Sequence, residues 1–173
     1  LPQVYFWMKS ADPNHWWGEE GMFTGEESLL ACPLQSCLGG EWIGQWPIDI
    51  FFPKLEILKL SAFKHYQKPD GLVPSTLGPG TDPDKPWYDQ QVSLDGQYYV
   101  QMVDRYWQVT GDDSSLAKYY PSVKAQMYFF MKAVDDDSDG VPDSKPGYKG
   151  FTASQYYDGW REMTCTAIHV ATY

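Results

Sequence analysis

The chain has 173 residues, 43% of them hydrophobic and 21% charged, enough apolar matter for one packed domain and too much for a disordered chain. Thirteen basic against 23 acidic residues leave a formal charge of −10, which repels phosphate backbones and excludes nucleic acid as a partner. No basic amphipathic stretch and no apolar run long enough for a bilayer is present, so no transmembrane segment is expected. Aromatic residues reach 17%, a surplus that suits either a large aromatic core or a site where flat rings stack on sugar C–H faces. Cys32, Cys37 and Cys165 make an odd set with no zinc spacing and no disulfide framework.

In chain order, Val4 to Met8 reads as a strand or an extended segment, and the Trp-, Gly- and Pro-rich residues up to 28 read as loop. A short helix is expected over Ser28 to Leu38, with Ser28 as its N-cap. After a glycine-rich loop, apolar residues at three- and four-residue steps (Ile48, Phe51, Phe52, Leu55, Leu58, Ala62) predict a helix over about 47–67. Pro47 suits its first turn, and Pro53 bends it unless the helix starts later. Residues 68–88 are rich in proline and glycine and read as a long ordered loop of the functional kind.

A second helix is expected over about 93–109, with Tyr99, Met102, Val103 and Tyr106 on one face. Thr110-Gly111-Asp112-Asp113 ends it, and Asp113 or Ser114 then caps a short helix to Tyr119. A third long helix begins at Pro121, with Val123, Met127, Phe130, Met131 and Val134 along one face to about residue 134. An acidic Gly/Pro loop covers 135–150, and a helix-like segment runs from about Ser154 onward. No strand alternation stands out after residue 10. The fold class is therefore all-α, built of antiparallel helix pairs: one unit with residues 1–40 as leading segment and loops and 41–173 as helical part. Because the chain begins at Leu1 and ends at Tyr173 within an apolar stretch, it reads as a piece of a longer protein.

Three stretches then come together. The first is Trp46-Pro47-Ile48-Asp49-Ile50-Phe51-Phe52-Pro53-Lys54-Leu55-Glu56, followed by Pro69-Asp70-Gly71-Leu72-Val73-Pro74 and Leu77-Gly78. The second is Thr110-Gly111-Asp112 with Tyr120-Pro121-Ser122-Val123-Lys124-Ala125. The third is Asp137-Ser138-Asp139-Gly140-Val141-Pro142-Asp143 with Gln155-Tyr156-Tyr157-Asp158-Gly159-Trp160. In order and spacing, residues 38–173 resemble the catalytic region of glycoside hydrolase family 116, the non-lysosomal glucosylceramidases and bacterial β-glucosidases. The resemblance implies a partial (α/α)6 toroid, retaining hydrolysis of β-glucosides or related β-glycosides, and a partner in the remaining part of its own catalytic domain.

Such hydrolysis needs two carboxyl groups about the scissile bond, one donating a proton and one attacking the anomeric carbon. By resemblance Asp158 is the acid/base, enclosed by Tyr156, Tyr157 and Trp160; as a plain residue it would N-cap the last helix. The family's nucleophilic Glu falls, counting back from Asp49, on Leu38, and the nearest carboxylate is Glu41. Either the loop is shifted and Glu41 attacks, or the nucleophile has moved or gone. Asp49 matches an aspartate close to the sugar, or else is a helix N-terminal carboxylate opposing the macrodipole.

The family's His-Asp pair for glucose hydroxyls is replaced by Ser75 and Thr76, which can still hydrogen-bond a sugar or simply cap the loop. Trp42, Trp46, Tyr157 and Trp160 are the expected stacking surfaces for a carbohydrate or glycoside. Asp135, Asp137 and Asp139 before Gly140, with Asp143 beyond, space carboxylates as a calcium loop does, although the twelfth position is Pro146 rather than Glu. A structural Ca²⁺ is therefore expected, against a solvated acidic loop. His15, His65 and His169 are isolated and read as packed or surface residues. Two further readings stand beside the enzyme: a catalytically silent carbohydrate-binding relative, and a plain helical scaffold around a calcium loop.

Overall fold

The computed structural model describes residues 5–17, 20–25, 36–38, 42, 46–78, 84–88 and 92–133. These are mostly helical, which agrees with an all-α class. Helix α1 spans Trp46–Phe51, α2 Pro53–His65, α3 Val92–Thr110 and α4 Asp113–Ala133. Helix α3 packs between α2 and α4 and also touches α1. None of the described helices is long and apolar enough to cross a membrane.

Short strands border the helices, contrary to the reading that none follows residue 10. Strand β1 (Tyr5–Met8) pairs antiparallel with β2 (Met22–Gly25), with Trp7 opposite Phe23. Strands β3 (Ser36–Cys37), β4 (Thr76–Leu77) and β5 (Pro86–Trp87) form a second antiparallel sheet in the order β3-β4-β5. Two-residue strands are too short to show a period of two, so sequence alternation cannot betray them. The helix expected over 28–38 ends instead in β3; its residues up to 35 lie outside the described ones.

The predicted helix over 47–67 is two helices. Phe52 has φ −138° and ψ 54°, and Pro53 opens the second helix, where its missing N–H is not needed. This break corrects the predicted apolar face at two positions: Ala62 is buried and Ile48, Leu55 and Leu58 are half-buried, but Phe51 and Phe52 are 71% and 56% exposed. The buried face instead carries Asp49, Glu56, Lys59, Leu60 and Phe63. Helix α3 buries Tyr99, Met102, Val103 and Tyr106, as its periodicity predicts.

Past α3, Gly111 adopts φ +65° and its N–H closes on the Trp107 carbonyl at 2.7 Å. Asp112, not Asp113 or Ser114, then caps α4: its Oδ1 accepts from the Ser115 N–H at 3.0 Å and the Ser114 hydroxyl at 2.7 Å. The Ser115 hydroxyl, then the Ser114 hydroxyl and the Ser115 N–H, hold its carboxyl far below the usual carboxylate range. Pro121 starts no new helix. It lies exposed within α4, which runs unbroken from Asp113. The buried face of α4 is Tyr119, Ser122, Gln126, Phe129 and Phe130, whereas Met131, expected inside, is exposed.

The core gathers Met22, Leu38, Leu60, Phe63, Leu77, Tyr99, Met102 and Tyr119 from every described layer. The segment 71–78 is buried throughout, so the expected loop is a tucked-in connection rather than a surface excursion. Gly71 permits this: its φ is +104°, and a Cβ there would lie 2.1 Å from the Ala125 carbonyl oxygen of α4. The Gln126 side chain completes the fit by accepting from the Val73 N–H at 2.9 Å.

Candidate functional site

Asp49 projects from α1 into the interior with no exposed surface, where its carboxylate pairs with the Arg105 guanidinium of α3. One helical step away across the Phe52 break, Glu56 and Lys59 form a second ion pair of 2.5 Å, also buried. Two acids and two bases thus share one apolar compartment and cancel in formal charge. Burial pushes the Asp49 carboxyl upward, and the neighbouring Arg105 and Lys59 charges offset part of that rise. A buried charge of this kind persists only when paired.

Arg105 does more than neutralise. Its Nη1 donates to the Trp42 carbonyl at 2.7 Å, and its Cζ lies 5.1 Å from the centre of the Trp46 ring. The Trp42 ring stacks on Tyr98, with centroids 4.8 Å apart and planes 24° from parallel. Tyr98 and Arg105 lie two turns apart on α3, so one helix face holds both tryptophans. Trp46 remains 54% exposed, a ring backed by a cation and open to a ligand on its other side.

Of the residues proposed for substrate binding, Asp49, Trp42 and Trp46 meet around Arg105. Ser75 and Thr76 take a different place. They are buried, Ser75 accepting from the Leu38 N–H at 3.1 Å and Thr76 pairing with Cys37 and Trp87 in the β3-β4-β5 sheet. Leu38 itself is fully buried in the core beside which Trp42 packs. Glu41, Tyr157, Asp158, Trp160 and the acidic set Asp135, Asp137, Asp139 and Asp143 lie outside the described residues. Among the described residues, no group of three or more His, Cys, Asp or Glu converges as a metal site.

Sequence reasoning singled out Asp49 but missed Arg105, Glu56 and Lys59. The signal was available for Arg105. Tyr98, Met102, Arg105 and Tyr106 share the α3 stripe, so a cation there needs a buried anion. Comparison with family models, with curated proteins and with solved structures finds no match.

Proposed function

We propose that the chain is part of the catalytic module of a retaining β-glycosidase, with Asp158 as acid/base and Glu41 as nucleophile. The observation that supports this most is the Asp49–Arg105 pair. It anchors the Trp42 backbone, one residue after Glu41, and steadies the exposed Trp46 ring. A sugar stacked on that ring would share Arg105 with Trp42, the residue that follows Glu41 in the chain. Buried as it is, Asp49 serves by fixing Arg105 rather than by touching the sugar. Asp158 would protonate the leaving oxygen while Glu41 attacks the anomeric carbon, which requires their carboxyl groups about 5–5.5 Å apart. Asp135, Asp137, Asp139 and Asp143 would hold a structural Ca²⁺. Exposed Ile50 and Phe51 on α1, with Phe52 just after it, suit a partial (α/α)6 toroid whose remaining helices cover them while Trp46 stays open to the sugar.

A second reading, a catalytically silent carbohydrate-binding relative, is favoured by one observation. The position of the family's nucleophile falls on Leu38, which is core, and Glu41 must then replace it from a different place in the loop.

The leaving-group dependence of an Asp158→Ala variant tests the enzyme. Turnover of alkyl and poor aryl β-glucosides should fall by about 10²–10⁴-fold, and turnover of dinitrophenyl β-glucoside far less, because only poor leaving groups need the acid. Azide should rescue the second step and give a β-glycosyl azide. Equal losses on both substrate kinds would make Asp158 a cap or a binding group.

A further inference from the structure

We propose that the cavity between Trp16, Trp17, Glu20 and Gly21 and helices α2 and α4 binds a small ring-bearing oxyanion, a phosphate or carboxylate on a body about the size of one sugar or aryl ring. The cavity measures about 360 Å³, at the small end of ligand pockets. It is a different place from the Arg105 cluster and does not depend on the glycosidase reading.

Its floor is rigid. The Tyr119 hydroxyl lies 2.6 Å from the Ser61 hydroxyl, which donates in turn to the Ile57 carbonyl at 2.8 Å. Its wall is aromatic. Trp16 lies flat on His65, with centroids 4.3 Å apart and planes 6° from parallel, and Trp17 meets Trp16 edge-on at 5.3 Å. Asp84 pins that wall from behind, accepting from the Trp16 indole at 3.1 Å and pairing with His15 at 2.8 Å. A flat or pyranose ring finds here a preformed apolar surface.

The rim carries the charge. Lys64 and Lys118 both line the cavity, their ammonium nitrogens 5.2 and 5.8 Å from the centre of the same Tyr119 ring. Lys64 also donates to the Lys118 backbone carbonyl at 2.9 Å, which holds its ammonium group at the Lys118 end of the rim. Among the described residues neither makes a salt bridge. Glu20 is the acid that lines the cavity with them, so the described lining has more positive than negative charge in a chain of net charge −10. Burial holds His65 below the usual imidazole range, so it adds hydrogen-bonding capacity without charge at neutral pH. Burial and the neighbouring Lys118 also lower Lys64, a strain that an anion between the two would relieve. An oxyanion at the rim with its ring against Trp16 satisfies both halves of the site, whereas a neutral sugar leaves the lysines unpaired.

Isothermal titration of the protein with phenyl phosphate, benzoate, inorganic phosphate and phenyl β-glucoside tests this. Phenyl phosphate or benzoate should saturate at or below about 1 mM, with the stronger of the two identifying the oxyanion, and inorganic phosphate should bind more weakly. Lys118→Gln alters an exposed side chain, so the fold survives, and it should weaken the ring-bearing anion about tenfold while leaving aryl glucoside turnover unchanged. Trp16→Leu should weaken phenyl phosphate more than inorganic phosphate. The proposal is overturned if neither ring-bearing anion saturates by about 10 mM, or if Lys118→Gln binds as the parent does. Phenyl β-glucoside binding as tightly as phenyl phosphate, with Lys118→Gln affecting neither, would likewise overturn it and make the cavity a neutral sugar site.

Discussion

Replacing Arg105 by methionine removes the guanidinium that Asp49 faces and leaves a buried carboxylate without its strongest partner, Lys59 offsetting the loss in part. Breaking a buried ion pair from one side costs about 3–5 kcal/mol, because the remaining charge keeps its desolvation penalty. The Trp42 carbonyl also loses its 2.7 Å bond, worth about another 1 kcal/mol. For a chain of this size such a loss lowers Tm by roughly 8–24 °C. Asp49→Leu combined with Arg105→Met removes both charges at similar volume and should recover most of the stability, since an apolar pair in place of a buried ion pair is often neutral or better.

The sign with pH follows from the carboxylate. Without Arg105 the folded-state pKa of Asp49 rises further above its ordinary value, so the deficit of Arg105→Met is largest at neutral pH. It shrinks as pH falls and the buried group takes up a proton. Urea titrations followed by circular dichroism at pH 7 and near pH 5 measure all of this. A loss below about 1 kcal/mol, or a double variant no more stable than Arg105→Met, would refute the pairing as the support of this region.

For the acidic loop, Ca²⁺ in hundredfold excess over its Kd should stabilise the fold by roughly 2–3 kcal/mol, and Asp137→Ala should abolish the shift; an unchanged melt with calcium, or an equal shift in the variant, removes the metal. Asp112→Ala should lower Tm by freeing the first turn of α4. Because the Asp112 carboxyl is held far below its ordinary value, its contribution is present above the unfolded carboxylate range and is lost as pH falls through the folded value. The variant's deficit should therefore shrink steadily as pH falls below about 4, and a deficit that stays the same between pH 7 and about pH 2 would mean that Asp112 acts otherwise.

The helix pairs were legible because their strongest stripe is apolar: Tyr99, Met102, Val103 and Tyr106 announce α3 and fill the core. The α1–α2 face was not. There the interior positions hold Asp49, Glu56 and Lys59, whose charges cancel one another, while Phe51 and Phe52 stand outside. Periodicity sees the phenylalanines and cannot see a neutralised ionic layer. Pro121 misled for a related reason. A proline fits the first turn of a helix, but here the preceding turn from Asp113 already runs in register with it. In the site, Asp49 was legible from its motif and Trp42 and Trp46 from their aromatic character. Arg105 stood out only as a cation on the buried α3 stripe; its pairing with Asp49 required knowing that α3 lies against α1, a contact between residues more than 50 positions apart.

The most direct test of the glycosidase reading is covalent trapping with dinitrophenyl 2-deoxy-2-fluoro-β-glucoside, followed by peptide mapping in a mass spectrometer. The fluorine destabilises the oxocarbenium-like transition states of both steps, while the good leaving group keeps the first step going, so a retaining enzyme accumulates its glycosyl intermediate. The account predicts one fluoroglucosyl group per chain, on the peptide that contains Glu41, and loss of labelling in Glu41→Ala. A protein that binds phenyl β-glucoside yet takes up no label would contradict the reaction and leave the silent relative, and a label on another carboxylate would contradict the choice of Glu41.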